Sequence, residues 1–463
     1  MQLRYRIILG ALMLTLVGLI VPMGFAQSQS PADVPNQKPI NTLFENVRIF
    51  DGISDQLSAS SNVLIVGNKI QAISTSTIST PADSSLTRIN GKGRVLMPGL
   101  IDAHVHMFMG AIPQEKLFAP DATPQTLFQD VSVSATEMLL RGFTSVRDVA
   151  GPAFDLKKAI DSGKVVGPRI WPSGAMISQT SGHGDFRSTK DLPATPSSPL
   201  SPAEKYGVGA VADGVPEVLR RTREQLMKGA SQIKLAAGGG VASAYDPIDV
   251  SQYTEAEFKA AVDAAANWNT YVTVHAYTPT AIQIAIRAGV KCIEHGQLMD
   301  EETAQLMAKE STWLSIQPFL DDEDRNPYPE GSESRAKQLL VSQGTDLAFK
   351  LAKKYKLKTA WGTDNLYSPK GAARQGAKLA KLVRWYTPAE VLRMATSVNA
   401  ELLALSGPRN PYPGKLGVIE NGALADLVLV DGNPLDNIKL IEDPAKNFVV
   451  VMKDGKIYKN LLS

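Results

Sequence analysis

Cysteine is nearly absent: Cys292 is the one thiol in 463 residues. An intrachain disulfide is therefore impossible, and stability has to come from a buried core. Flanked by Val290 and Ile293, that thiol reads as a buried structural group rather than a nucleophile. An excess of either charge is lacking too. The formal balance is +2 and falls to zero if Arg4 and Arg6 leave with a leader, so neither a nucleic-acid nor a membrane-surface field is implied and the expected partner is a small molecule. Beyond Ile20 no apolar run approaches the ~20 residues of a membrane helix. Histidine is the scarcity that informs most, because with five in the chain their positions carry weight.

The first residues hold the one long apolar run. Arg4 and Arg6 precede Ile7 to Ile20, and Gly24-Phe25-Ala26 supplies small residues at cleavage spacing. Residues 1–26 are expected to be a signal peptide cut after Ala26, with an uncleaved anchor as the alternative. The mature protein would be exported, periplasmic or secreted, and free of the membrane. Residues 27–42, rich in Pro, Gln and Asn, read as a linker.

With 44% hydrophobic and 20% charged residues, the remainder has the profile of an ordinary globular protein. From Gly99 to about Leu405, eight short runs rich in Val, Ile and Thr alternate with helical stretches: 100–106, 144–149, 169–173, 232–237, 272–277, 291–295, 313–318 and 359–364. Eight strand–helix units predict an α/β fold, a (β/α)8 TIM barrel over 98–414 with its site at the strands' carboxyl ends. Strand-like alternation at 43–97 and again at 415–463, with Asp431-Gly432 and Asp454-Gly455 turns, predicts a small discontinuous β-sandwich domain built from both termini. Gly184 to Gly214, rich in Pro, Ser, Thr and Gly, is an insertion and a candidate lid or substrate loop.

Four of the five histidines fall at barrel strand ends: His104 and His106 on the first, His275 on the fifth, His295 on the sixth. Residues i and i+2 of a strand share a face, so His-Val-His can aim two imidazoles at one cation. A lone buried histidine is more often a satisfied core group, but four converging ones point to metal. Asp364, closing the eighth strand, can bind a cation and take a proton from its water; helix capping is the alternative. Lys234 lies among apolar neighbours on the fourth strand. Burial lowers an amine's pKa, and a neutral amine reacts with carbon dioxide to form a carbamate, an anionic donor able to bridge two cations.

These residues, with Pro98-Gly99-Leu100-Ile101-Asp102-Ala103 before the first histidine, resemble the amidohydrolase superfamily over essentially the whole mature chain. Within it the chain is most similar to the branch of Xaa-Pro and Xaa-Arg/Lys dipeptidases (prolidase-like carboxypeptidases) and ochratoxin amidases. The likeness is carried by Thr144-Ser145-Val146-Arg147-Asp148, Ser181-Gly182-His183-Gly184-Asp185, Ile233-Lys234 with Gly238-Gly239-Gly240, and Val274-His275-Ala276-Tyr277. The resemblance implies that His104, His106 and Asp364 hold one cation, His275 and His295 another, and N6-carboxylated Lys234 both. It also implies a bridging hydroxide as attacking group, Asp364 as proton acceptor and a homo-oligomer. Zinc suits the imidazole-rich set, with manganese or cobalt as substitutes.

His183, in a glycine-flanked loop, reads as a carbonyl-polarising or substrate-contacting residue. Tyr277 could donate to a substrate carboxylate or pack as an ordinary aromatic. Gly239 and Gly240 could offer N–H groups to an anion or form a plain turn. Arg147 and Asp148 read as an internal ion pair. The leading expectation is a two-metal hydrolase of a dipeptide or N-acyl amino acid. Alternatives are hydrolysis of a cyclic amide, lactone or carbamate, as in imidazolonepropionase-like enzymes, and a catalytically silent binding barrel.

Overall fold

Runs such as Leu427 to Val430 and Phe448 to Val451 are apolar on both faces, so they fold as strands buried on both sides. The computed structural model describes residues 41–80, 86–117, 119, 121–195 and 197–462. The expected leader, 1–26, and the linker as far as residue 40 lie outside them. The chain starts with β1 (Asn41–Ile49), β2 (Ser61–Val66), β3 (Lys69–Ser74), β4 (Leu86–Asn90) and β5 (Val95–Pro98). The parallel-strand region follows: β6 (Leu100–Val105), β7 (Phe143–Asp148), β8 (Arg169–Pro172), β9 (Met176–Ser178), β10 (Gly209–Val211), β11 (Ile233–Ala236), β12 (Val272–Ala276), β13 (Cys292–His295), β14 (Trp313–Ile316) and β15 (Thr359–Trp361). The last are β16 (Leu427–Val430), β17 (Phe448–Lys453) and β18 (Lys456–Asn460).

One sheet joins strands from both ends of the chain in the order β18-β17-β16-β5-β1-β2-β3, with β4 beside β1. Phe44, Val47, Ile65, Leu429 and Val450 form its core. The other strands form two parallel sheets, β6-β7-β8 and β10-β9-β11-β12-β13-β14-β15. Backbone bonds join them at two places, Ser231 N to Pro172 O at 2.8 Å and Asp364 N to His104 O at 2.9 Å. Each of the eight expected runs contains a strand. The third, 169–173, holds β8, and a further strand not expected from the sequence follows it: β8 pairs with β7 and β9 with β11, and Gly174 between them takes a φ of 75°, which a side chain would resist.

Arg169 ties the two regions together, donating from Nε to Asp426 Oδ2 at 3.0 Å and from Nη2 to Asp454 Oδ1 at 2.7 Å. Connecting helices start on polar caps; Thr254, for example, accepts from Glu257 N while the Glu257 carboxylate accepts from Thr254 N, using donors that a helix start leaves unpaired. Among the described residues no helix is long and apolar enough to cross a membrane.

Candidate active site

Strict alternation along β6 would put Ala103 and His104 on opposite faces. Instead Ala103 packs with Cys292 and His104 reaches Glu294, two residues that share a face of β13. The pairing of β6 with β7 is irregular between Asp102 and Val105, and such a bulge re-aims a side chain. A similar departure occurs on β13, where adjacent Glu294 and His295 both approach His104. His295 does so with a φ of 81°, and Asp364 beyond β15 takes a φ of 47°. Side-chain residues rarely adopt this left-handed region, at a cost of about 1–3 kcal/mol each, and strain of this kind gathers at functional sites.

Each strand-end histidine has one ring nitrogen engaged by an acceptor. His104 Nδ1 meets Glu294 Oε2 at 2.7 Å, His106 Nδ1 meets Ala150 O at 3.3 Å, His275 Nε2 meets Gly239 O at 3.0 Å, and His295 Nδ1 meets Gln317 Oε1 at 2.7 Å. A proton on the engaged nitrogen leaves a lone pair on the other. Asp364 Oδ1 lies 3.3 Å from His104 Nε2 and 3.1 Å from His106 Nε2. Donor atoms about 2.0–2.2 Å from a tetrahedral zinc lie roughly 3.3–3.6 Å apart, so this triad has the spacing a single cation requires. His104, His106 and Asp364 thus form a group able to hold a metal ion.

The electrostatics suit the same use at three of the four strand-end histidines; at His104 the effect of burial is outweighed by the Asp364 and Glu294 carboxylates, which raise its pKa. Burial pushes the pKa values of His106, His275 and His295 below the ordinary imidazole range, favouring the neutral form that binds cations. Burial also lowers the Lys234 ammonium to about 8, and among the described residues its Nζ has no hydrogen-bond or ion-pair partner. A buried, unpaired amine of lowered pKa is the state in which carbamate formation is accessible.

Glu294 is the buried residue in contact with His104 that the strand-end pattern passes over. Burial alone would raise its carboxyl pKa, but Arg147 and His104 hold it well below the usual range. The Arg147 ion pair is therefore with Glu294, Nη2 to Oε1 at 2.6 Å, and not with its neighbour Asp148. Asp148 Oδ2 instead accepts from Met107 N at 2.7 Å, bracing the turn that follows His106. Charged residues inside the apolar runs of β7 and β13 were the available signal. Cys292 is fully buried, and burial holds its thiol pKa at about 12, the protonated state expected of a structural thiol.

His183 stacks on His275 with ring centroids 3.9 Å apart, and its Nδ1 lies 2.7 Å from Ser243 Oγ. Tyr277 packs edge-on to His275 and lines the same cleft; burial raises its pKa, so the hydroxyl remains a donor. The two glycine N–H groups differ from expectation. Gly240 N donates to Asp246 Oδ2 at 2.8 Å and Gly239 N to Val250 O at 3.3 Å, so neither is left for an anion. The glycines matter by their lack of bulk: a Cβ on Gly240 would stand 1.9 Å from His183 Nδ1.

A cleft opens to solvent above the rings. Within the Gly184–Gly214 insertion, Gly184 closes the His183 turn and Phe186 lines the cleft. The opposite wall comes from the segment after β14, with Phe319, Leu320, Arg325 and Tyr328. That segment is fastened by the long helix Glu333–Lys354, whose Gln338 donates to Asn326 O at 3.0 Å.

The pattern of the amidohydrolase family matches residues 95–459. The chain belongs to the amidohydrolase family. It is a hydrolase of amide bonds acting on small molecules. An Aspergillus niger ochratoxinase is 35% identical over 378 residues, covering 79% of this amidohydrolase and 76% of the relative. A solved prolidase complexed with N-methylphosphonate-L-proline superposes with a TM-score of 0.81 at 35% identity, covering 91% of this chain and 100% of that one. A Xaa-Pro dipeptidase with bound methionine in its active site gives 0.76 at 31% identity, with 91% and 100% covered.

Proposed function

We propose that this amidohydrolase is an exported two-cation amidase that releases the C-terminal amino acid of a dipeptide or N-acyl amino acid. The observation that carries the reading is the set of four histidines, each with one ring nitrogen tied to an acceptor, converging with Asp364 and an unpaired buried lysine. His104, His106 and Asp364 would hold one cation, His275 and His295 a second, and carboxylated Lys234 both, in the mouth of a closed (β/α)8 barrel. The two bonds joining the parallel sheets support that closure. Bound there, divalent cations, zinc by the donor set, would lower the pKa of water into the working range and polarise the scissile carbonyl.

Asp364, with Oδ1 turned to His104 and His106, accepts the proton of the attacking water and passes it to the leaving nitrogen. His183, with its Nδ1 held against the Ser243 hydroxyl, contacts the substrate through Nε2. Tyr277 donates to the substrate carboxylate. Phe186 and Phe319 give the cleft apolar walls that exclude bulk water. The relatives named prolidase, Xaa-Pro dipeptidase and ochratoxinase support the substrate class. Export rests on the leader of residues 1–26, and a homo-oligomer on the family likeness.

The decisive experiment is a scan of Xaa-Pro, Xaa-Arg, Xaa-Lys, Xaa-Phe and N-acyl amino acids with zinc and bicarbonate present. Turnover of at least one of these, and loss of turnover when its free carboxylate is amidated, is expected; turnover confined to cyclic amides or lactones would overturn the reading. Gly240→Ala is expected to displace His183 and lower kcat by about 100-fold with bound cation unchanged. Wild-type kcat in that variant would remove His183 from the reaction.

A further inference from the structure

Glu294 has an asymmetric environment. Its Oε1 receives three donors: Arg147 Nη2 at 2.6 Å, the Thr273 hydroxyl, and the Cys292 thiol at 3.5 Å. Its Oε2 faces Nδ1 of His104 at 2.7 Å. Arg147 is held in turn by Ala103 O at 2.6 Å, Tyr271 Oη at 3.1 Å and Ser315 Oγ at 3.2 Å. All of these groups are buried, so the orientation of the carboxylate is set by these protein hydrogen bonds.

We infer that Glu294 is a positioning residue whose carboxylate, oriented by Arg147 and Thr273, locks His104 in the tautomer that presents its Nε2 lone pair beside Asp364. This rests on the reading of His104 as a cation ligand. A histidine ligand is set by the partner of its other nitrogen, and such partners typically change metal affinity 10- to 100-fold. The donors on Oε1 make the inference sharper than a generic one. A glutamine at 294 has one acceptor oxygen, and three donors draw it to their side. Its NH2 group then faces Nδ1 of His104, which must accept; the imidazole proton moves to Nε2, and the lone pair beside Asp364 is lost. A substitution that preserves shape thus reverses the histidine's polarity.

The test measures zinc affinity by chelator competition on full-length mature protein: wild type, Glu294→Gln, Glu294→Gln/Arg147→Met and His104→Asn. Glu294→Gln is expected to bind zinc about 10- to 100-fold more weakly. In the double variant the guanidinium is gone, the glutamine oxygen can turn to His104, and affinity is expected to recover at least about 5-fold over the single variant. Glu294→Gln with wild-type affinity, or a double variant no tighter than the single, would overturn the inference. If His104→Asn keeps wild-type affinity, it is the cation-ligand reading that fails; if it loses zinc while Glu294→Gln does not, the positioning role alone fails. Should Glu294→Gln not fold, nitrogen-15 spectra of zinc-loaded wild type decide the matter. A proton bonded to Nδ1 of His104 is required, and its absence refutes the role.

Discussion

Lys234→Ala is expected to lose bound cation and amide hydrolysis together, each by at least about 100-fold, since removing a shared ligand should exceed the 10- to 100-fold effect of a supporting residue. The fold should survive: the side chain is buried but unpaired, so its removal leaves a small cavity and no orphaned ion. Circular dichroism and metal analysis on one preparation would separate loss of site from loss of structure. The carbamate adds a second arm. Its formation needs the neutral amine, and with a pKa of about 8 the neutral fraction is small at pH 6 and dominant at pH 9. Zinc loading of metal-stripped wild type should therefore be faster at the higher pH and require bicarbonate, whereas Lys234→Ala should be indifferent to bicarbonate. A short carboxylic acid such as propionate, placed in the vacated space, should restore part of the variant's zinc content. Bicarbonate-independent loading of wild type would refute the carboxylated lysine while leaving the histidine–aspartate triad untouched.

How far the site could be read before the structure depended on which residues obey simple periodicity. Lys234 and His275 lie within strands whose alternation holds; the placement of His275 follows from spacing, whereas Lys234 was legible as a site residue chiefly through the family resemblance. His104, His295 and Asp364 do not obey that alternation. His104 needs a bulge, and the other two need a left-handed backbone, features that depend on long-range pairing and have no local sequence signal. Their convergence was legible because histidine is scarce, so four at strand ends pointed to one place even where the reason for it was incomplete. The eight parallel runs were legible as continuous apolar stretches. The further strand after the third was not, because Gly174 between two apolar segments looks the same whether a strand continues or restarts. The insertion at 184–214 attracted attention by its composition, yet the cleft's other wall comes from 318–328, a shorter segment whose acidic run Asp321-Asp322-Glu323-Asp324 does not by itself point to a substrate. Composition marks a loop; only the packing of the following helix determines which loop faces the substrate.

Arg147→Met tests whether the charges beneath the rings serve the fold or the site. Alone, it leaves Glu294 as a buried carboxylate without its counter-ion, a change that typically costs about 3–5 kcal/mol. For a protein of this length, with an unfolding entropy of about 0.9 kcal/mol per kelvin, that corresponds to a Tm lowered by about 3–6 °C, measured on metal-stripped protein so that cation binding does not contribute. Replacing both partners, Arg147→Met with Glu294→Leu, removes the charges and should return Tm to within about 2 °C of wild type, because apolar groups of similar volume pack in a buried pair's place with little net cost. The same double variant should remain catalytically poor, since His104 Nδ1 then has no acceptor to hold its proton. Stability recovered without activity would mean that the pair is retained for the orientation of His104. Should the double variant recover both, the pair contributes only to folding. If neither recovers, the shape of this interior layer matters more than its charge, and the fault lies in packing around Tyr271 and Ser315, the remaining partners of the Arg147 guanidinium.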